Sequence, residues 1–376
     1  MAGIYVHLPF CPYICPYCDF AKWPHRRSAA QRYLLALYAE IEATVTGDAT
    51  FGSVFLGGGT PNTYAAAQIA ALVGRLRDRF PGPPDRETTI EVNPELVRRD
   101  DLRAYASEGI NRLSIGVQSF VAREIATLGR RHELEQVAQA VRDAREAGLR
   151  SVSLDLIFAV PGQTEESWLH SVRSAIALDV DHVSVYGLTV EEGTAYARWQ
   201  ERDPGAFFDD VREARLYEIA IETLEAHGLQ QYEISNFARP GHQSAHNKNY
   251  WDNGDYLGLG VGAASYLDGV RSVHTRDLSE YVAAAIQERV IPGESERLEG
   301  IKRAGEAVML ALRTAQGVCL ASFKERYDLD FLRFYAPVVE RYTELGLLES
   351  DATHARLTRR GRFLANDVCA AFVTFA

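Results

Sequence analysis

Short apolar segments alternate with amphipathic segments through about the first 230 residues of the chain. The apolar segments are IYVHLPF, SVFLGGG, TTIEVNP, NRLSIGVQSF, SVSLDLIFAVPG and HVSVYGLTV, and each ends in glycine, proline or polar residues. The stretches that follow them, such as QRYLLALYAEIEATV and LEQVAQAVRDAREAGL, are amphipathic with helical periodicity. Strands that are apolar throughout are typical of parallel sheets covered by helices. The pattern therefore predicts an α/β fold in which residues 1–230 form six β/α units, curled into a full or partial barrel.

The pattern changes after this region. Residues 231–293 include the stretch QYEISNFARPGHQSAHNKNYWDNGDYLGLGVGAASYLDG, which is rich in Gly, Asn, Tyr and Trp and has no helical period. It predicts an extension of strands and loops packed on the barrel. Helical patterns return in residues 294–376, and the ending LLESDATHARLTRRGRFLANDVCAAF predicts a turn, a strand and a helix. We expect a smaller C-terminal helical domain that is winged-helix-like.

Composition and charge narrow the class of protein. A chain of 376 residues with 47% apolar content can bury a large core. The net charge of −11, without a compensating basic run, argues against a nucleic-acid partner. No uncharged run approaches the roughly 20 residues of a membrane span, and MAGIYVHLPFCPY is unlike a signal peptide. An odd number of cysteines suits a reducing compartment, so we expect a cytoplasmic protein.

The stretch FCPYICPYCDF carries the strongest chemical signal. Cys11, Cys15 and Cys18 lie four and three residues apart, among prolines that disfavour helix. Zinc is one candidate occupant, with His7 or His25 as the fourth ligand. An iron-sulfur cluster is the other, and it normally takes four cysteines. Here the third cysteine is followed by aspartate and phenylalanine, so one iron would lack a protein thiolate.

The spacing C-x3-C-x2-C, with Tyr17 just before the third cysteine, resembles the radical S-adenosylmethionine (SAM) motif. In that superfamily, a [4Fe-4S] cluster is bound by three cysteines, and the methionine moiety of SAM chelates the open iron. The resemblance implies that Cys11, Cys15 and Cys18 are the metal ligands. It also implies one-electron reduction of SAM, with the cofactor supplying the difficult chemistry.

Further polar residues follow the other predicted strands. They occur in SVFLGGGTPN, TIEVNPE, SIGVQSF, LGRRHE and SLDLIFAVPGQT, where each alone is equally a tight turn, a cap or a surface ion pair. Together with YVHLPFC, these stretches resemble the oxygen-independent coproporphyrinogen III oxidase family over nearly the whole chain. The resemblance implies a SAM pocket with Glu91 and Arg130 at the methionine end and Asp155 on the ribose side. The cofactor-binding residues implied for it are Tyr5, Tyr17, Phe20, Gly58, Gly59, Thr60, Glu91, Gln118, Arg130 and Asp155.

Two departures separate the chain from the decarboxylating branch of that family. Phe20 stands where that branch has a fourth cysteine, and only ten residues precede Cys11. Both features are similar to the HemW-type haem chaperone branch, which keeps the three cysteines. A third sign is HNKNYW, from His246 to Trp251, which matches the H-N-x-x-Y-W motif of that branch. It implies haem binding by His246, Tyr250 and Trp251, since imidazole binds iron and aromatic rings pack against porphyrin.

The alternative for this motif is that His246 only anchors its segment by hydrogen bonds. The resemblance thus implies a haem chaperone that binds a [4Fe-4S] cluster, SAM and haem, and delivers haem to acceptors such as respiratory enzymes. Two alternatives stay open: an oxidase that decarboxylates coproporphyrinogen III to protoporphyrinogen IX, and a zinc-stabilised binding module. The sequence also leaves open a monomer or a dimer, and a peripheral contact with a membrane.

Overall fold

The computed structural model describes residues 1–375 and contains one large sheet, two small sheets and helices. The strands are β1 Ala2–Leu8, β2 Phe10–Cys11, β3 Trp23–Pro24, β4 Phe51–Gly58, β5 Glu87–Val92, β6 Arg112–Gln118, β7 Ser151–Phe158, β8 His182–Gly187, β9 Gln230–Gln231, β10 Asn236–Ala238, β11 Tyr256–Leu259, β12 Ala264–Leu267, β13 Val270–His274, β14 Gly293–Arg297, β15 Val318–Cys319, β16 Leu348–Ser350 and β17 His354–Leu357.

Helices connect and cover these strands. The α-helices are α1 Arg27–Ala43, α2 Ala66–Arg79, α3 Arg99–Ser107, α4 Ala122–Thr127, α5 Leu134–Glu146, α6 Glu165–Ala177, α7 Ala195–Arg202, α8 Asp210–Glu225, α9 Ala245–Trp251, α10 Leu278–Ile286, α11 Gly300–Leu312, α12 Leu320–Tyr327, α13 Phe331–Phe334, α14 Ala336–Glu344, α15 Arg359–Phe363 and α16 Ala365–Phe375. Short 3-10 helices span Pro61–Thr63, Pro94–Leu96 and Pro204–Ala206. None of the described helices is both long enough and apolar enough to cross a lipid bilayer.

Six parallel strands form the centre of the large sheet, in the order β1-β4-β5-β6-β7-β8. Each is joined to the next through at least one helix, as expected for parallel strands, which need long crossover connections. The sheet continues outward from β1 and β8 and has two ends, so the barrel is open. The predicted α/β fold with a partial (β/α)6 barrel is confirmed.

The interior of the barrel is polar, whereas its outer layer is apolar. Side chains alternate along each strand, so neighbouring residues point to opposite faces. On β7, Leu154 and Leu156 are fully buried in the apolar core, whereas Asp155 between them bonds to the Ser114 hydroxyl of β6. An interior lined by polar groups can hold a polar ligand that an apolar core would exclude.

Residues 231–293 differ from the predicted packing of strands and loops on the barrel. The strands β9 and β10 extend the β8 edge of the same sheet, and β11 to β14 extend the β1 edge. The HNKNYW motif lies on a helix, α9, and not in a loop or strand. This helix has only seven residues, too few to produce a recognisable period, and the Ser244 side chain caps it by accepting the amide of Asn247.

The C-terminal domain has an apolar core of its own. Phe331 on α13, Tyr335 between α13 and α14, and Phe372 on α16 pack together there. A three-stranded sheet of β15, β17 and β16 accompanies the helices. The boundary expected between residues 293 and 294 falls inside β14, because residues 293–297 still pair with β13 of the large sheet.

A buried carboxylate connects the barrel to α9. Glu87 on β5 is only 8% exposed, and it accepts the backbone amides of Ala245 and His246, each at 3.0 Å, as well as the Ser244 hydroxyl at 3.2 Å. The first amides of a helix have no partner within the helix, and the helix dipole favours a negative charge at this end. Glu87 therefore fixes the start of α9 inside the amino end of the barrel.

We predict that Glu87→Gln lowers the free energy of unfolding by about 2 kcal/mol, because the amide NH2 of glutamine would face backbone donors. Urea unfolding followed by circular dichroism measures the change. Glu166→Gln is the matched control, because Glu166 lies in the first turn of α6 but is exposed. An equal, small effect of both substitutions would contradict the role assigned to Glu87.

Candidate cluster and cofactor site

A cavity of about 440 Å³ lies at the carboxyl ends of the central strands and brings together most of the predicted cofactor residues. This is the edge of a parallel barrel where loops that follow the strands gather. The predicted residues that line it are Cys11, Cys15, Tyr17, Cys18, Phe20, Gly58, Gly59, Thr60, Glu91, Gln118, Arg130 and Asp155. Motifs that are spread over more than 140 residues of the sequence thus lie around one cavity.

The cysteine loop is held at its two ends by backbone hydrogen bonds. The amide of Trp23 donates to the Pro9 carbonyl at 2.9 Å, and the amide of His25 donates to the Cys11 carbonyl at 2.8 Å. Between these anchors, a turn brings the amide of Cys18 to 3.3 Å from the Cys15 carbonyl. Burial raises the pKa of the Cys11 thiol to about 11, so iron binding at this cysteine would displace a proton.

The glycine turn after β4 lets the cysteine loop approach the sheet. A Cβ on Gly59 would lie 2.7 Å from the carbonyl carbon of Pro9 and 3.0 Å from the sulfur of Cys11. Gly58 has a φ of +112°, a backbone conformation that residues other than glycine rarely adopt. Its amide donates to Oε2 of Glu91 at 3.1 Å. The turn therefore sets both the position of one thiol and the orientation of one carboxylate.

Two buried carboxylates form one side of the cavity. Burial raises the pKa of Glu91 to about 8, and the nearby charge of Asp155 contributes to that rise. Burial also raises the pKa of Asp155, while hydroxyl donors from Ser114 and Ser184 oppose the rise. A carboxylate whose charge is poorly compensated attracts a cation. The ammonium and sulfonium groups of SAM are such cations.

Arg130 supplies positive charge on another side. Its Nη2 donates to Oδ1 of Asn93 at 2.8 Å and to the Gly116 carbonyl at 2.6 Å, whereas its buried Nε has no partner within residues 1–375. The described carboxylates form no ion pair with it closer than 4 Å. A buried guanidinium with neutral partners and an unused donor is suited to a carboxylate ligand.

Gln118 occupies a strained position at the end of β6. Its φ is +69°, and the register between β6 and β7 shifts between Gly116 and Gln118. Bulges of this kind re-aim side chains and occur next to active sites, at a cost of order 1–3 kcal/mol for the backbone conformation. Here the bulge directs the Gln118 amide to the cavity wall.

The donor set fits both the cluster and SAM. The three thiols, the two carboxylates and Arg130 all line the same cavity. Within residues 1–375, no three His, Cys, Asp or Glu side chains are arranged to hold a single metal ion. Three thiolates that bind three different irons of a cluster need not converge in that way.

A second cavity of about 540 Å³ contains the remaining predicted aromatic residues. Tyr5, predicted to line the SAM pocket, lines this second cavity, together with Tyr250 and Trp251. Phe20 lines both cavities and is 65% exposed. Tyr256, Tyr266, Arg271 and Arg276 complete the aromatic and basic character of the wall.

His246 does not line either cavity. It is 1% exposed, stacks on Phe55 with ring centroids 5.2 Å apart, and burial lowers its pKa to about 3. Its Nδ1 lies 2.9 Å from the Ser53 hydroxyl, and its Nε2 lies 2.9 Å from the Tyr250 hydroxyl. These are the contacts that the anchoring alternative describes.

Sequence reasoning missed several residues of the site. Asn93 and Glu95 line or border the first cavity, and Tyr13 donates to Glu95 at 2.7 Å. All three lie inside stretches already singled out, IEVNPE and FCPYICPYCDF, so strand-end position was an available signal. Tyr186, at the end of β8 in HVSVYGLTV, carried the same signal. Arg271 on β13 did not, because a lone Arg is common on any surface.

The open barrel, the cysteine loop and the first cavity are features of the radical SAM class of proteins. Comparison with known proteins gives the same class. The family described as the radical SAM superfamily matches residues 5–175, and the HemN C-terminal domain matches residues 298–364. The solved structure reported as "Coproporphyrinogen III oxidase (HemN) from Escherichia coli is a Radical SAM enzyme" superposes with a TM-score of 0.87 and 26% identity, covering 100% of this chain and 90% of that one. The chain is thus a radical SAM protein, and membership of this superfamily implies a [4Fe-4S] cluster and SAM.

Proteins with similar sequences identify the family within the radical SAM superfamily. The protein named "Heme chaperone HemW" from Bacillus subtilis is 35% identical, with 99% of each chain covered. Its namesake from Escherichia coli is 33% identical, with 99% of this chain and 98% of that one covered. The Bos taurus protein named "Radical S-adenosyl methionine domain-containing protein 1, mitochondrial" is 32% identical over 96% of this chain and 84% of its own length. The chain belongs to the HemW family within the group related to oxygen-independent coproporphyrinogen III oxidase.

We predict that Cys15→Ala, after anaerobic reconstitution, loses most bound iron and sulfide and the visible charge-transfer absorption, because one iron loses its thiolate. Metal and sulfide analysis with absorption spectroscopy measures the loss. Cys319→Ala is the matched control, since Cys319 lies in the C-terminal domain outside this cavity. A full cluster in Cys15→Ala would remove this cysteine from the ligand set.

A second prediction concerns the pH dependence of stability in the protein without ligands. Glu91 has a folded pKa of about 8, above the ordinary value of 4.5, so the folded state holds its proton more tightly than the unfolded state. Its contribution to stability therefore falls as the pH rises from about 4.5 to about 8. Glu91→Gln should remove this loss, so the variant becomes increasingly more stable than wild type towards pH 8.

Urea unfolding at several pH values across that window measures the difference. Glu192→Gln, at an exposed loop position, serves as the control and should leave the wild-type pH dependence intact. Parallel curves for wild type and Glu91→Gln would show that the Glu91 carboxyl is not desolvated in the folded protein.

Proposed function

We propose that this protein is a haem chaperone that holds a [4Fe-4S] cluster, SAM and haem, and that it delivers haem to acceptor proteins such as respiratory enzymes. The observation that carries the proposal is the pair of adjoining cavities. One combines three thiols with buried charged groups, the other is aromatic and basic, and Phe20 belongs to both walls. The names of the HemW relatives support the same assignment.

In the first cavity, Cys11, Cys15 and Cys18 would each bind one iron, which leaves the fourth iron for SAM. Glu91 would meet the SAM ammonium, whose positive charge would favour the ionised form of this buried carboxyl group. Arg130 would meet the SAM carboxylate, because its buried guanidinium carries the opposite charge. Asp155 would accept hydrogen bonds from the ribose hydroxyls, and Gly58, Gly59 and Thr60 would give SAM access to the backbone. Tyr17 and Gln118 would complete the wall. When bound, the cluster and SAM supply one-electron chemistry.

In the second cavity, aromatic side chains would enclose the porphyrin and Arg276 would attract a propionate, since Arg271 already pairs with Glu296 and Glu306. Tyr250 and Tyr256, which both line this cavity, pack edge to face with ring centroids 4.6 Å apart. Arg276 is 61% exposed at its side chain and donates to the Asp19 carbonyl of the cysteine loop at 2.6 Å. Haem would therefore lie against the loop that carries the cluster.

The likeness to the Escherichia coli oxidase structure supports a second candidate function, oxidative decarboxylation of coproporphyrinogen III. Phe20 argues against it, since it replaces the fourth cysteine of that branch. Phe20 also occupies space between the two cavities.

We predict that the reconstituted protein, supplied with SAM and a reductant, binds haem and transfers it to an apo-haem protein without decarboxylating coproporphyrinogen III. Transfer is measured by the absorption of the acceptor after separation of the two proteins, and decarboxylation by chromatography of the porphyrins. Conversion of coproporphyrinogen III over many turnovers would establish the oxidase function instead. Failure to bind haem would also contradict the chaperone proposal.

A further inference from the structure

The second cavity, proposed to hold haem, is lined by tyrosines, but the His246 imidazole of the HNKNYW motif does not line it. His246 uses one ring nitrogen on the Ser53 hydroxyl and the other on the Tyr250 hydroxyl, and its ring is 1% exposed. To bind iron, it would have to leave both partners and its stacking contact with Phe55. Among the side chains of this motif, Tyr250 and Trp251 line the cavity, and of these two only Tyr250 carries an oxygen that can bind iron.

Tyr250 is positioned rigidly for such a role. Its ring packs edge to face on both His246 and Tyr256, with centroids 4.8 and 4.6 Å away, and its hydroxyl is fixed by the imidazole. A phenolate is an established ligand of haem iron in proteins. A ligand held by its own hydrogen-bond partner needs little reorganisation when the metal arrives.

The imidazole can adapt to a phenolate because its other partner is a hydroxyl. While Tyr250 is a phenol, it can donate to Nε2 as Nδ1–H donates to the Ser53 hydroxyl. After the phenol loses its proton, Nε2–H can donate to the phenolate while the Ser53 hydroxyl donates to Nδ1, since a hydroxyl is both donor and acceptor. A neutral imidazole therefore satisfies both states of the phenol.

Tyr5, the other phenol beside a histidine in this cavity, lacks that freedom. Its hydroxyl lies 3.0 Å from Nδ1 of His7, whose Nε2 lies 2.7 Å from the Ala21 carbonyl. A carbonyl only accepts, so Nε2 must carry the proton and Nδ1 has only a lone pair to offer. A phenolate at Tyr5 would face that lone pair.

We propose that Tyr250 is the protein ligand of ferric haem in this cavity and that His246 is its positioning residue. The inference rests on the proposed haem-chaperone function. The phenolic O–H bond breaks, an iron–oxygen bond forms, and the proton leaves to solvent. Iron stays ferric, so no electron acceptor is needed.

The test is a haem titration of the full-length reconstituted protein with ferric haem, read by absorption, electron paramagnetic resonance and resonance Raman spectroscopy. Wild type is expected to show a high-spin ferric signal and an iron–phenolate vibration. Tyr250→Phe keeps the ring packing and should lose that vibration and bind haem at least tenfold more weakly. Tyr250→His should replace the phenolate signature by that of imidazole ligation.

Tyr327→Phe is the matched control, because Tyr327 lies in the neighbouring cleft beside the C-terminal domain, where its hydroxyl has no partner within the described residues. It should bind haem like wild type, and thermal melts verify folding of each variant. An unchanged iron–phenolate vibration in a folded Tyr250→Phe protein, or its loss in Tyr5→Phe, would overturn the assignment. A wild type that binds haem without any phenolate signature would overturn it as well, whereas a wild type that binds no haem would overturn the proposed function itself.

Discussion

The contact between the Glu87 carboxylate and the amino end of α9 determines how the rest of the molecule is arranged. The first amides of α9 have no partner within the helix, and Glu87 at the start of β5 accepts two of them. These hydrogen bonds fix the direction of the seven-residue helix relative to the sheet, and so they fix the positions of its side chains. Glu87 on β5 therefore helps to position Tyr250 and Trp251, the two residues of α9 that line the second cavity.

Burial of charge is the second organising feature. Glu91, Asp155 and Arg130 are all removed from water, yet none forms an ion pair with another. Desolvated charges without partners are destabilising, and proteins retain them where a ligand supplies the missing charge. Burial of these groups therefore lowers the stability of the protein without its cofactor, and bound cofactor would restore that stability. Hydrogen bonds to neutral partners reduce the loss.

The amino-acid pattern predicted the six β/α units, because runs of apolar residues between amphipathic helices have few other solutions. That Glu91, Gln118 and Asp155 share one pocket was implied by the family resemblance, and the carboxyl ends of parallel strands, which meet at one edge, give the physical reason. The pattern could not show α9, whose stability comes from Glu87, nearly 160 residues earlier, and not from local periodicity. Nor could residue types reveal that Tyr250 faces the cavity while His246 points away, because the orientation of a short helix depends on tertiary contacts.

Phe20 has a consequence for how the two cavities behave together. A single exposed aromatic ring forms part of both walls, so any rearrangement of that ring changes the shape available to each ligand. Where two binding equilibria share such an element, linkage requires reciprocity: the factor by which one ligand changes the affinity for the other is the same in both directions. A ligand in the second cavity would then change the affinity of the first cavity for its cofactor, and the cofactor would change the affinity of the second cavity by the same factor.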